Sequence, residues 1–112
     1  MLDHSPDLNR IFQALADPTR RAVLERLCGG PAPVSELARP FNMALPSFTQ
    51  HLNMLEDCGI VTSQKVGRTR TYQLAPSGLK QAEDWMQTQR STWETRLNQL
   101  DSYLTTMKDL DP

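Results

Sequence analysis

The periodicity of the sequence changes sharply between residues 60 and 74. Earlier in the chain, apolar residues recur at the three- and four-residue spacing that is typical of helices. Residues 60–66 and 68–74 lack that spacing and are rich in Thr, Val and Tyr, with Gly67 between them. Two short β-branched runs around a glycine predict a hairpin. The chain is therefore predicted to be mainly α with a small β-hairpin.

Four helical segments precede the hairpin. Ser5-Pro6 and Asp17-Pro18 each combine a capping side chain with a first-turn proline, so helices are predicted to begin there. The first helix is expected to cover residues 5–16, and a fourth helix begins at Pro46 and ends at Gly59. The expected apolar faces, in chain order, are Leu8, Ile11, Phe12 and Leu15; Val23, Leu24 and Leu27; the short helix Val34–Ala38; and Leu45, Phe48, Leu52 and Leu55.

The last segment, residues 77–107, predicts one long helix that opens at Pro76-Ser77-Gly78. Thirty residues would extend about 45 Å, which is more than a small domain needs for its own core. A seven-residue apolar repeat on such a helix favours pairing with a second helix, although a core helix with a frayed tail is the alternative. The repeat consists of Leu79, Met86, Trp93, Leu100 and Met107, with Leu97 and Leu104 interleaved.

The order α-α-α-α-β-β-α is that of a winged helix-turn-helix, in which residues 34–58 form the helix-turn-helix and residues 60–74 the wing. If Phe48, Leu52 and Leu55 face inward, a polar surface of the fourth helix faces outward. Amide and hydroxyl side chains there are able to hydrogen-bond to base edges in a major groove. An ordinary solvent-exposed face is the alternative. The candidate DNA-binding residues of this helix are Ser47, Gln50 and Asn53 on the outward side and Thr49 and His51 on the flanks, where His51 is a candidate for a phosphate contact.

Positive charge is concentrated at the predicted wing. Residues 60–75 hold three cations, Lys65, Arg68 and Arg70, and no acid. Residues 20–70 carry seven basic and four acidic residues, although the whole chain has a net charge of −1. Scattered surface charge is one interpretation, but cations around a glycine turn favour contact with DNA phosphates or the minor groove.

Composition excludes several other classes. The 112 residues suit one domain, 1–112, and apolar runs of at most three residues exclude a membrane span. No secretory signal fits the amino terminus, so a cytoplasmic protein is expected. The chain shows no glycine-rich phosphate loop and no paired nucleophile and base, so an enzyme is not expected.

Four stretches together resemble the ArsR/SmtB-type family of bacterial winged-helix repressors: Leu15–Leu24, Val34–Ala38, Met43–Leu52 and Leu55–Val61. The resemblance covers residues 8–104. It implies double-stranded DNA as partner, bound through the helix that carries Ser47, Thr49, Gln50 and His51 and through the wing around Arg68 and Arg70. It also implies a homodimer paired through the first and last helices, for which the candidate residues are Leu8, Ile11, Phe12, Met86, Trp93, Leu97, Leu100 and Leu104.

The sequence departs from the family's metal sensors. Pro33 and Ser35 stand where those sensors have cysteines, and the two histidines, His4 and His51, cannot build a nitrogen site on the last helix. No metal and no cofactor are therefore expected. Ala44 also replaces a serine that often begins the reading helix.

Three questions remain open from the sequence. Cys28 and Cys58 allow a thiol-responsive regulator, but no cysteine follows Cys58 on the last helix, so two half-buried thiols near helix ends are the favoured explanation. A degenerate winged helix that binds protein is the alternative to DNA binding. An unidentified small-molecule or redox effector is compatible with either function.

Overall fold

The computed structural model describes residues 6–110, and side chains from Leu8 onward. The predicted cap Ser5, and His4, lie outside the described residues. One compact unit extends to Gln81 and a second begins at Ala82. The elements in chain order are α1 (Pro6–Leu15), α2 (Pro18–Leu27), β1 (Ala32–Pro33), α3 (Val34–Ala38), α4 (Leu45–Asp57), β2 (Val61–Val66), β3 (Thr69–Leu74) and α5 (Lys80–Leu110).

The core of the first unit is built from the predicted apolar faces of the helices. Phe48, Leu52 and Leu55 of α4 are completely buried, and Val23, Leu24 and Leu27 of α2 are buried as well. Leu45 was expected on the same face of α4, but it is 56 % exposed. It stands in the first turn of the helix and lines an open cleft instead of the core.

The predicted hairpin is confirmed, and its turn explains the glycine. β2 and β3 pair antiparallel from Val61 opposite Leu74 to Val66 opposite Thr69, so Gly67 and Arg68 form a two-residue turn. Gly67 has a φ of 64°, whereas no other residue type in the described range has a positive φ. A positive φ at the first turn residue alone is the pattern of a type II′ turn, which favours glycine there.

A third strand, β1, was not predicted. Ala32 and Pro33 pair with Tyr72 and Thr71, which gives a sheet in the order β1-β3-β2. A strand of two residues has no periodicity to detect. Proline is tolerated in it because β1 is an edge strand and does not need every N–H.

The amino terminus of α5 also differs from the prediction. The helix begins at Lys80, and the chain before it turns, with the Gly78 N–H donating to the Ala75 carbonyl at 3.0 Å. Gly78 is buried, and a β-carbon at this position would lie 2.7 Å from the α-carbon of Ile60. The close approach of two backbones therefore requires glycine at the point where a helix start was expected.

The Gly78→Ala substitution is expected to destabilise the fold by roughly 1–3 kcal/mol, because backbone atoms cannot move aside as a flexible side chain can. Gly29→Ala is the matched control, since the nearest atom to its added β-carbon is 3.4 Å away. Urea unfolding of the two variants measures the difference. Equal stability of both variants would contradict the packing described for residues 59–60 and 78.

Helix α5 has 31 residues and carries an apolar stripe, which Gln89 and Arg90 interrupt between Met86 and Trp93. Six of its large apolar side chains are between 43 and 61 % exposed, and they fall on one side of the helix at alternating steps of three and four residues after Trp93. None of the helices within residues 6–110 combines the length and apolar character needed to cross a lipid bilayer. The six residues of the stripe are Met86, Trp93, Leu97, Leu100, Leu104 and Met107.

Candidate nucleic-acid interface

The outward side of α4 is polar, as the buried triad of this helix requires. Ser47, Gln50 and Asn53 are exposed. At 100° per residue they lie on the side of the helix away from Phe48 and Leu52. Their hydroxyl and amide groups are both donors and acceptors, so they can match the hydrogen-bonding patterns of base edges.

Thr49 and His51 lie on the flanks of α4 and are half-buried. The imidazole of His51 is held from within the protein, because Nη1 of Arg20 lies 2.9 Å from its Nδ1. A guanidinium has only donors, so Nδ1 is the acceptor in this contact and the ring proton is on Nε2. Asp17 Oδ2 lies 3.8 Å from the same nitrogen. His51 therefore packs one edge inward, and only Nε2 is left for a phosphate.

Arg20 was not singled out by the sequence, yet it joins three helices. Its Nε donates to the Ala14 carbonyl at 2.8 Å and its Nη2 to the Gln13 carbonyl at 3.1 Å, in addition to the contact with His51. These two carbonyls belong to the last turn of α1, where few backbone donors remain. The Gln13 carbonyl also accepts the Ala16 N–H at 3.2 Å, so Arg20 adds to the hydrogen bonding at this helix end. An arginine that follows closely after a helix end is the signal that could have identified this role.

Asp17 fixes the start of α2, as predicted. Its Oδ2 accepts the Arg20 backbone N–H at 3.1 Å, and this hydrogen bond is the main reason why the pKa of Asp17 is lowered. The positive charge of the Arg20 guanidinium lowers it further. The same residues therefore cap α2 and position the flank of α4.

Cations crowd the wing tip. Lys65 and Arg70 are directly opposite each other in the β2–β3 ladder, so both side chains are on one face. Like charges in this arrangement destabilise a hairpin. Lys65 and Arg68 are exposed and form no hydrogen bond or ion pair with other residues in the described range. An arrangement of cations that is unfavourable in the free protein is typical of a surface that binds an anion.

Arg70 differs from the other two wing cations. Its Nη1 donates to the Ser63 hydroxyl at 2.8 Å, and that hydroxyl donates to Glu56 Oε2 of α4 at 2.6 Å. The chain Arg70–Ser63–Glu56 therefore links the wing to α4, the predicted reading helix. The pKa of the neighbouring Tyr72 is raised by burial and then by the charge of Glu56. Sequence spacing does not show this link, because it depends on how β2 packs against α4.

The wing tip and the beginning of α4 share one cleft of about 310 Å³. Leu45 of α4 and Arg68 and Arg70 of the wing line it, together with the first residues of α3. The wing arginines thus stand beside the end of α4 that carries Ser47. This juxtaposition brings the predicted wing and the start of the predicted reading helix to one continuous surface.

The cysteines and the possible metal ligands do not form a second candidate site among the described residues. Cys28 is exposed and not half-buried as expected, whereas Cys58 is half-buried, and both thiols are free. Burial raises the pKa of Cys58, which disfavours its reactive thiolate form. Within residues 6–110, no group of three His, Cys, Asp or Glu side chains could hold a metal ion.

A three-helix core, an outward polar helix and a cationic hairpin define a winged helix-turn-helix. Residues 15–64 match the family model described as "Helix-turn-helix domain". The chain is 49 % identical over 75 residues to the HTH-type transcriptional regulator Rv2034 of Mycobacterium tuberculosis, covering 67 % of this chain and 68 % of that protein. It is 34 % identical over 79 residues to the transcriptional repressor SdpR of Bacillus subtilis, covering 70 % and 88 %.

A solved structure agrees with these relatives. The crystal structure of the ArsR family transcriptional regulator RHA00566 is 53 % identical in sequence, with a TM-score of 0.78, and the match covers 84 % of this chain and 97 % of that one. The chain belongs to the ArsR family of winged helix-turn-helix transcriptional regulators. It is thus a DNA-binding regulator and not an enzyme.

Proposed function

We propose that the chain acts as a homodimer that binds double-stranded DNA with sequence specificity and represses transcription from a near-palindromic operator in the cytoplasm. The observation that carries this proposal is the surface formed by α4 and the wing. Gln50 and Asn53 present amides for base edges, while Lys65 and Arg68 present exposed cations, without partners among residues 6–110, for the phosphate backbone.

The exposed apolar side chains of α5 support the proposed dimer. Its apolar stripe is exposed along the helix in the single chain, and two such helices would cover each other. On α1, Leu8 and Ile11 are already buried within the chain, so of the three predicted α1 contacts Phe12 keeps the most surface for a partner. A two-fold dimer would present two reading helices about 34 Å apart, which is one turn of DNA.

Repression would follow from the occupancy of promoter DNA by the dimer. A dimer that covers two successive major grooves within a promoter would exclude polymerase from the same DNA. The name of the relative SdpR, a transcriptional repressor, supports this direction of regulation. A signal that releases the protein from DNA would complete the regulatory cycle.

The test is the selection of bound fragments from a random duplex pool at two salt concentrations. Enrichment of a near-palindromic sequence, with affinity that falls steeply as salt rises, is the expected result. Partner binding that is insensitive to salt, with no enriched sequence, would contradict the proposal and indicate a protein-interaction module.

The Gln50→Ala variant is expected to relax the base preference at one position in each half-site, because an amide that pairs with an adenine distinguishes bases by about 1–3 kcal/mol. Gln73→Ala is the matched control, an exposed glutamine of β3 near the base of the wing. Repeating the selection with both variants measures the effect. An unchanged preference in Gln50→Ala would remove this residue from the base-reading set.

A further inference from the structure

The outward polar side of α4, which carries Gln50 and Asn53, has a neighbouring element on each of its two edges. On one flank, Glu56 contacts Ser63 of the wing, and on the other, His51 contacts Arg20 at the start of α2. Around the helix axis, Glu56 and His51 are about 140° apart, measured across the buried side. Gln50 and Asn53 lie between them on the solvent side. The wing therefore borders one edge of the reading surface, and the opposite edge faces α1 and α2.

A cleft of about 480 Å³ runs along that opposite edge. Gln50 and Asn53 form one wall, and Arg10 and Gln13 of α1 form the other. Arg10 is exposed and makes no hydrogen bond or ion pair with another residue of the described range. A cation of α1 thus stands beside the amides that are proposed to read bases, although α1 was expected to contribute only to the dimer.

The geometry of DNA gives this cation a role. The major groove is about 12 Å wide, and a helix with its side chains is about 10–12 Å across, so a helix in the groove has a phosphate backbone along each side. Lys65 and Arg68 would meet the backbone on the wing side. The backbone on the other side would pass along the cleft between α4 and α1.

We infer that Arg10 contacts a DNA phosphate on the side of α4 opposite the wing, so that the reading helix is held in the groove by cations on both edges. This inference rests on the proposed function. It assigns to α1 a part in DNA binding as well as its predicted part in the dimer.

Among residues 6–110, Asp57 is the only other charged residue that lines the cleft, and it provides a second test of the inference. Asp57 is exposed on the outward side of α4, in its last turn, and would repel a phosphate in the cleft. If the backbone passes there, Arg10 and Asp57 must have opposite effects on DNA affinity. A purely structural role for either residue does not predict this opposition.

The experiment measures the dissociation constant for the selected operator over a range of salt concentrations, with the parent chain and with Arg10→Gln, Asp57→Asn and Arg26→Gln. Arg26→Gln is the charge-matched control, because Arg26 pairs with Glu36 in a cleft between α2 and α3 that contains neither α4 nor wing residues. Thermal unfolding of each variant verifies that the fold is intact.

Arg10→Gln is expected to weaken binding about tenfold or more at 0.1 M salt and to reduce the salt slope by about 2 per dimer, one phosphate contact for each protomer. Asp57→Asn is expected to strengthen binding. An unchanged slope in Arg10→Gln, or the same loss in Arg26→Gln, would overturn the inference while leaving the proposed function intact. A parent chain without salt-dependent duplex binding would overturn both.

Discussion

Replacing Leu97 and Leu104 together by glutamate is expected to leave the chain monomeric and to weaken operator binding at least a hundredfold. Both side chains lie on the exposed apolar stripe of α5, 43 and 53 % exposed respectively. Two glutamates per helix would place four negative charges in the proposed seam, where they would be desolvated and close to one another. A monomer contacts one half-site only, so it loses the added affinity of the second reading helix.

The matched control adds the same charges on the other side of the helix. Thr95→Glu with Ser102→Glu changes two exposed positions about 160–180° from the middle of the stripe. Sedimentation equilibrium and operator titration of the two double variants provide the measurement. If the stripe variant remained dimeric, or the control became monomeric, the dimer would have to be assigned to another surface.

The second large effect is expected at the wing. Replacing Lys65 and Arg68 by glutamine removes four cations from a dimer, and the slope of log K against log salt is expected to fall by about 4. Affinity at moderate salt should drop by about a thousandfold, equally for operator and unrelated duplexes, because phosphate contacts carry no sequence information.

The double variant of Lys65 and Arg68 is expected to lose DNA affinity without losing thermal stability. Lys65 is directly opposite Arg70, so removing its charge relieves a repulsion, and the Tm is expected to stay constant or rise slightly. Arg21→Gln with Arg26→Gln removes the same charge from α2, where both guanidiniums have partners inside the protein, and should change the salt slope little. A wing variant that lost stability together with affinity would point to a structural role for these cations.

The predictable part of the fold was the part encoded locally. Asp17-Pro18 predicted the start of α2, and Gly67 predicted the turn of the hairpin, because caps and tight turns depend on neighbouring residues. The predicted start of α5 was wrong. Glycine is needed at position 78 because the backbone there lies close to the backbone of Ile60, and not because a helix begins there. That contact joins distant parts of the chain and leaves no periodic signal.

The candidate site divides in the same way. The outward direction of Gln50 and Asn53 follows from the buried face of α4 and could be predicted. The contact of His51 with Arg20 could not, because it depends on the packing of α4 against α2. The link between Arg70 and Glu56 through a serine was likewise invisible until β2 and α4 were placed together.

The central claim is that the outward side of α4 and the wing form one DNA-binding surface. Chemical-shift changes of the backbone amides during titration with the selected operator test it most directly. The largest changes are predicted at residues 47–53 of α4 and 65–70 of the wing, at the same protein-to-DNA ratio. Changes confined to one of these segments, or centred on the cleft between α2 and α3, would contradict the claim.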